Sequence, residues 1–131
     1  MEDSIFTKII KGEIPCHKVY EDDRVIAFLT INPVAEGHTL VIPKKQINQL
    51  WDLESEDYVY LLDVTKKIAL HLRQVMKVDR VGVVVKGFEV PHVHIHLIPV
   101  NEGSNVIFDH TVPPDSPSND ELAAIAERIR F

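Results

Sequence analysis

Three histidines on alternate positions, His92, His94 and His96 in "PHVHIHLIPV", constrain this chain more than any other stretch. A period of two is the signature of a strand, and in a strand residues two apart share a face. The imidazoles therefore project to one side, and Val93, Ile95 and Leu97 to the other. The apolar side is fit to receive a helix. The polar side is left uncovered, as the wall of a cleft.

Such a strand needs a sheet around it, and the sequence supplies one. "HKVYE" and "RVIAFLTI" read as two strands joined by a tight hairpin at Asp22-Asp23, and "HTLVIP" as a third that ends at Pro43. "VGVVV" and "HVHIHLIP" complete five. Between Ser55 and Met76 the period changes to 3.6, with Tyr58, Leu61, Leu62, Thr65, Ile68, Ala69, Leu72, Val75 and Met76 on one stripe. Ser55, Glu56 and Asp57 make a good start for that helix. "SIFTKIIKGEIP" predicts a short helix stopped by Gly12 and Pro15, with Ile5, Phe6, Ile9 and Ile10 as its apolar positions. After the proline-rich "TVPPDSPSND", Ser118 and Glu121 stand at capping-box spacing before a last helix carrying Leu122, Ile125, Ala126 and Ile129. Hairpin-length links with helices inserted at intervals predict an α+β fold, a five-stranded antiparallel sheet with one long, one N-terminal and one C-terminal helix.

Composition matters for what it excludes. The chain has 131 residues, the size of one domain, and 14 basic against 20 acidic side chains give a net charge of -6. That surface repels long polyanions, so nucleic acid is not the expected partner, although a locally positive pocket can still hold a small anion. A single cysteine, Cys16, rules out an intrachain disulfide and reads as an inert thiol. The acidic start "MEDSIFTKII" and the lack of a long apolar run lead us to expect a cytoplasmic protein with no membrane partner.

What can a row of imidazoles do? One reading is a merely solvated sheet face. Another is a metal site, but same-face neighbours lie roughly 6.5–7 Å apart, so the outer pair are roughly 13 Å apart. Zinc needs its donors within about 2.1 Å of one point. A straight row makes a poor chelate and a good relay, so no metal and no cofactor is expected. Phosphoryl chemistry fits better: one imidazole attacks phosphorus while its neighbours donate to phosphate oxygens and to the leaving group. His94, flanked on both sides, is the natural nucleophile.

"HVHIHLIP" resembles the His-x-His-x-His motif of the histidine triad (HIT) family of nucleotide hydrolases and transferases. "IFTKIIKGEIP", "KVYEDDRVIAFLTINP" and "GHTLVIPKK" are similar to other blocks of that family, in the same order. The resemblance covers roughly residues 3 to 100. It implies a HIT-like domain over residues 1–110, with 111–131 adding the proline-rich segment and a C-terminal helix packed on the same domain. It implies a homodimer and a small-molecule nucleotide substrate, cleaved at the α-phosphate through a covalent nucleotidyl-histidine on His94. By the same resemblance His92 flanks the leaving group, His96 buttresses the nucleophile, and His38 packs behind the row. Phe6, Ile9, Phe28 and Ile31 would wall the base pocket, Thr30 or Asn32 would lie at the sugar, and Gly87 and the backbone near Glu89 would meet the phosphate.

The chain departs from the family pattern in three places. Thr30 stands where many members have a carboxylate that grips the ribose. "VVVKGFEVPH" is shorter and more apolar than the usual loop before the triad. Ser4, Thr7 and Gln46 stand where many bacterial members bind a structural zinc through two cysteines and a histidine. These departures keep a second reading alive, a nucleotide sensor or adaptor with little turnover.

Overall fold

The computed structural model describes residues 2–103 and 117–131. Five strands form one antiparallel sheet: β1 (Lys18–Glu21), β2 (Val25–Leu29), β3 (Thr39–Pro43), β4 (Arg80–Val84) and β5 (Ile95–Val100), in the spatial order β1-β2-β3-β5-β4. The helices are α1 (Ile5–Ile10), α2 (Ser55–Met76) and α3 (Asn119–Ile129), with one 3-10 turn at Leu50–Asp52. The expected α+β architecture is the one observed. No described helix is long and apolar enough to cross a membrane.

The β1–β2 hairpin closes on Asp22. Its carboxylate accepts the backbone N–H groups of Arg24 and Val25 at 2.7 and 2.8 Å, and the hydroxyls of Tyr20 and Tyr60 at 2.7 and 2.6 Å. An aspartate turning the chain onto its own following amides is the local chemistry that makes such turns. The β2–β3 pairing then runs from Val25 opposite Pro43 to Leu29 opposite Thr39. Gly37, at φ 86°, opens β3; a β-carbon there would meet the Met76 side chain and Pro99 at 3.3 Å. Both the backbone conformation and the space ask for glycine.

Alternation sorts the sheet into two faces. Val25, Ala27, Leu29, Val41, Ile95 and Leu97 lie on one, under Leu61, Val64, Ile68 and Leu72 of α2 and Leu122, Ala126 and Ile129 of α3. Ile26, Phe28, Leu40 and Ile42 lie on the other, where Phe6 of α1 packs on them. The α2 stripe differs from the sequence expectation at one pair: Val64 is buried, whereas Leu62 is 37% exposed. The helix presents the 61-64-65-68-72 line to the sheet, and position 62, about 100° round the helix from 61, turns outward. Ser55 is the first helical residue rather than the cap, which Glu54 occupies without a side-chain bond. At α3, Ser118 and Glu121 form the predicted capping box. Most of the proline-rich stretch lies outside the described residues.

The strand β5 begins at Ile95, three residues later than the alternation suggests. Its ladder partners run out there: the last pairings are Val41 with Ile95 on one side and Val84 with His96 on the other. Beyond them the Val93 N–H donates to Ile47 O at 2.8 Å, and the Pro43 carbonyl is taken by the His92 ring. His92 and His94 therefore belong to an extended approach to the strand. The imidazole face is not open either. Phe6 lies edge-on to His92 and His94, with ring centroids 5.9 and 5.0 Å away, and covers that part of the row.

Candidate active site

α1 is only six residues long and owes its place to packing and capping rather than length. Ser4 caps it, its Oγ accepting the Thr7 N–H at 3.0 Å, and Phe6 is buried between Phe28 and the histidines. This helix forms the roof of the row.

All three histidines are buried, at 0%, 2% and 7% exposure for His92, His94 and His96, and so is His38 on β3's lead-in at 2%. Their hydrogen-bond partners fix the tautomers, because a carbonyl only accepts and a backbone N–H only donates. His94 Nδ1 lies 2.8 Å from the carbonyl of His92, so that nitrogen carries the proton. The lone pair of a neutral His94 is then on Nε2. The Val34 N–H donates to His38 Nδ1 at 3.2 Å, which puts the His38 proton on Nε2, and this donates to His96 Nδ1 at 2.9 Å. The proton of neutral His96 is left on Nε2. Burial holds both rings neutral, pushing His38 down to about 4; for His96 burial, followed by the neighbouring His38 and His94, pushes the ring down to about 3. Two separate sets of hydrogen bonds thus leave a lone pair on His94 Nε2 and an N–H on His96 Nε2, with the two rings 5.1 Å apart.

His92 is occupied differently. Its Nε2 donates to the Pro43 carbonyl at 2.8 Å, and its Nδ1 takes the Ser4 hydroxyl at 2.7 Å. Both ring nitrogens are bound by the protein, and burial depresses its pKa. The leaving-group position that the resemblance implies for His92 is not where this ring points its donors.

Ser4, Thr7 and Gln46 gather around His92, in the place where the resemblance puts a zinc. The Ser4 N–H and the Thr7 hydroxyl both donate to Gln46 Oε1, at 2.8 and 2.6 Å, while Gln46 Nε2 donates to the Glu2 carbonyl at 2.8 Å. Hydroxyl and amide oxygens are weak zinc donors beside thiolates, and here they satisfy one another. The residues do not fit the ion. A second group, Glu89, His94 and His96, brings one donor atom each within 4.8 Å of one another. With its Nδ1 engaged and its proton on Nε2, His96 has no lone pair to give a metal.

Phe6, Ile9 and Phe28 come together in the smaller core, with Val90 as a neighbour that the sequence did not suggest. Ile31 does not join them; it is 65% exposed in the loop after β2. In the same loop the Thr30 hydroxyl accepts the Asn32 N–H at 3.2 Å. Gly87, at φ 84°, turns the loop that carries Glu89 to the site. The sequence credited only the backbone of Glu89, yet its carboxylate reaches within 3.7 Å of His94 Nε2. Cys16 packs, partly buried, against the smaller core that holds Phe6 and Phe28, its thiol pushed up by burial.

Buried imidazoles on alternate positions leading into a sheet strand form the row for which histidine triad proteins are named. The HIT domain family model matches residues 11–103, and the chain belongs to that family. It is 43% identical over 106 residues to an uncharacterized HIT-like protein of Borreliella burgdorferi, covering 76% of each chain. It is 37% identical over 128 residues to the adenosine 5′-monophosphoramidase of Schizosaccharomyces pombe, covering 95% of this chain and 94% of that one. Among solved structures, a Hit-like protein from Bartonella henselae superimposes with a TM-score of 0.88 at 37% identity, over 98% of this chain and 94% of that one.

Proposed function

We propose that the chain is a nucleotide phosphoramidase-type hydrolase working through a covalent nucleotidyl-His94. The observation that carries this reading is the tautomer of His94: with Nδ1–H bound to the His92 carbonyl, Nε2 holds the lone pair. In the first half-reaction that lone pair forms a bond to the α-phosphorus. The bond from phosphorus to the leaving nitrogen breaks, and its electrons go with the amine, which takes up a proton from solvent. The His92 carbonyl stabilises the positive charge that develops on the ring, and the His96 Nε2–H is placed to donate to a phosphate oxygen. In the second half-reaction water attacks phosphorus and gives up a proton to solvent, the electrons of the Nε2–P bond return to the ring, and a nucleoside monophosphate leaves. The yeast relative named as a phosphoramidase supports this substrate class.

The base would rest against Phe6, Phe28 and Ile9. His92 serves as scaffold for the row and for α1. We also expect a homodimer: Val83 and Val85 are 60% and 41% exposed on and just past β4, the edge strand among the described residues, and proteins cover or pair such an edge. A cytoplasmic setting accords with the same reading. The sensor alternative has one observation in its favour, the Thr30 hydroxyl already engaged within its own loop. Hydrolysis of adenosine 5′-phosphoramidate by the wild type and by His94→Ala separates the two. Turnover that disappears in the variant supports the hydrolase; a wild type that binds the monophosphate and hydrolyses nothing supports the sensor.

A further inference from the structure

Glu89 stands directly beside the nucleophile. Its Oε2 lies 3.7 Å from His94 Nε2, and its side chain is 32% exposed where that of His94 is 2%. Both facing atoms are acceptors, a carboxylate oxygen and an imidazole lone pair, so no hydrogen bond joins them. The turn at Gly87 makes this approach: it brings Lys86 Nζ within 3.6 Å of Glu89 Oε1 and leaves Phe88 outside, 88% exposed. Partial burial opposes ionisation of Glu89, but its own backbone N–H and Lys86 outweigh it and hold the carboxyl below its ordinary value. A fixed negative charge therefore flanks the place where phosphorus must come.

We infer that Glu89 selects substrates by the charge of the leaving group, favouring a departing amine over a departing phosphate. The inference rests on the phosphoramidase reading. A reacting phosphorus sits about 3–3.5 Å from the attacking nitrogen, so it comes close to this carboxylate, and the leaving group, in line on the far side of phosphorus, still lies within reach of its field. A phosphate or polyphosphate leaving group carries further negative charge as the bond to phosphorus breaks, and the carboxylate repels it. An amine leaves with the electron pair of the P–N bond and gains a proton from solvent, which reaches the site along the exposed flank of Glu89. The resulting N–H groups donate to the carboxylate. At such distances Coulomb energies amount to a few times the thermal energy even after solvent screening, with Lys86 offsetting part.

The test compares kcat/KM for adenosine 5′-phosphoramidate and for diadenosine triphosphate in the wild type, Glu89→Gln and Glu89→Ala. The wild type should prefer the phosphoramidate. Both variants should lower the ratio of the two values by about tenfold or more, equivalent to about 1.4 kcal/mol. A general loss of activity from a disturbed loop would lower both substrates together and leave the ratio in place. If the wild type is active and the ratio stays within twofold in both variants, the inference is overturned while the phosphoramidase reading stands. If the wild type cleaves neither substrate, that reading falls and the inference with it.

Discussion

Removing the His92 ring should unfold the site rather than disarm it. In His92→Ala the Pro43 carbonyl loses its ring partner at 2.8 Å in a place with no solvent, since His92 is 0% exposed, and the Ser4 hydroxyl exchanges a 2.7 Å bond for the longer one to Thr7 Oγ1 at 3.3 Å. Stranding a buried polar group costs about 1–3 kcal/mol. The ring also supports Phe6 from 5.9 Å, and its loss opens a cavity beneath α1. Allowing for relaxation, the sum is about 3–5 kcal/mol, a large share of the total stability of a domain this size. Urea unfolding should show the midpoint moving sharply down, and thermal melting should fall by about 10–20 °C. A variant that melts within about 3 °C of the wild type yet has lost turnover would refute this reasoning. It would return His92 to the leaving group, as the family resemblance implies.

Acidification tests the buried pair. His38 and His96 have folded pKa values of about 4 and about 3, below the ordinary 6.5, so between those values the unfolded chain binds more protons than the folded one. Stability is therefore complete above pH 6.5 and is lost as pH falls toward 4; between pH 7 and 4.5 urea unfolding should show a loss of about 2–4 kcal/mol, shrinking in His38→Asn, and a flat profile would contradict the neutral wire. At the sugar, Thr30→Asp should strengthen ribonucleotide binding over the 2′-deoxy form by roughly tenfold by calorimetry, since a charge-assisted bond is about twice as strong as a neutral one; a wild type that already prefers ribose strongly, with no gain from the substitution, would show that position 30 does not read the sugar.

Much of this was legible because the signals are local. The 3.6 period of residues 55–76, the Ser118/Glu121 spacing and the Asp22 turn each depend on neighbours in sequence, and each has its expected structure. Leu62 and Val64 changed places because a stripe drawn on a helix does not say which of its two flanks the sheet covers. The late start of β5 depends on where β3 and β4 stop, a matter of partner strands outside its own stretch of sequence. The His38–His96 wire needs two strands in register, Leu40 opposite His96, which alternation alone cannot supply. Glu89 was visible only as a backbone in a short loop; what brings its carboxylate to His94 is the positive φ of Gly87, and the sequence offered the glycine without the direction of the turn.

Intact mass spectrometry of the wild type, acid-quenched during turnover of adenosine 5′-phosphoramidate, addresses the nucleophile most directly. A free Nε2 lone pair on His94 predicts a transient adenylyl adduct on one residue, mapped to His94 by peptide analysis and missing in His94→Ala. Turnover without any adduct, or an adduct on His92 or His96, would contradict the assignment of the proton to His94 Nδ1 and with it the covalent route.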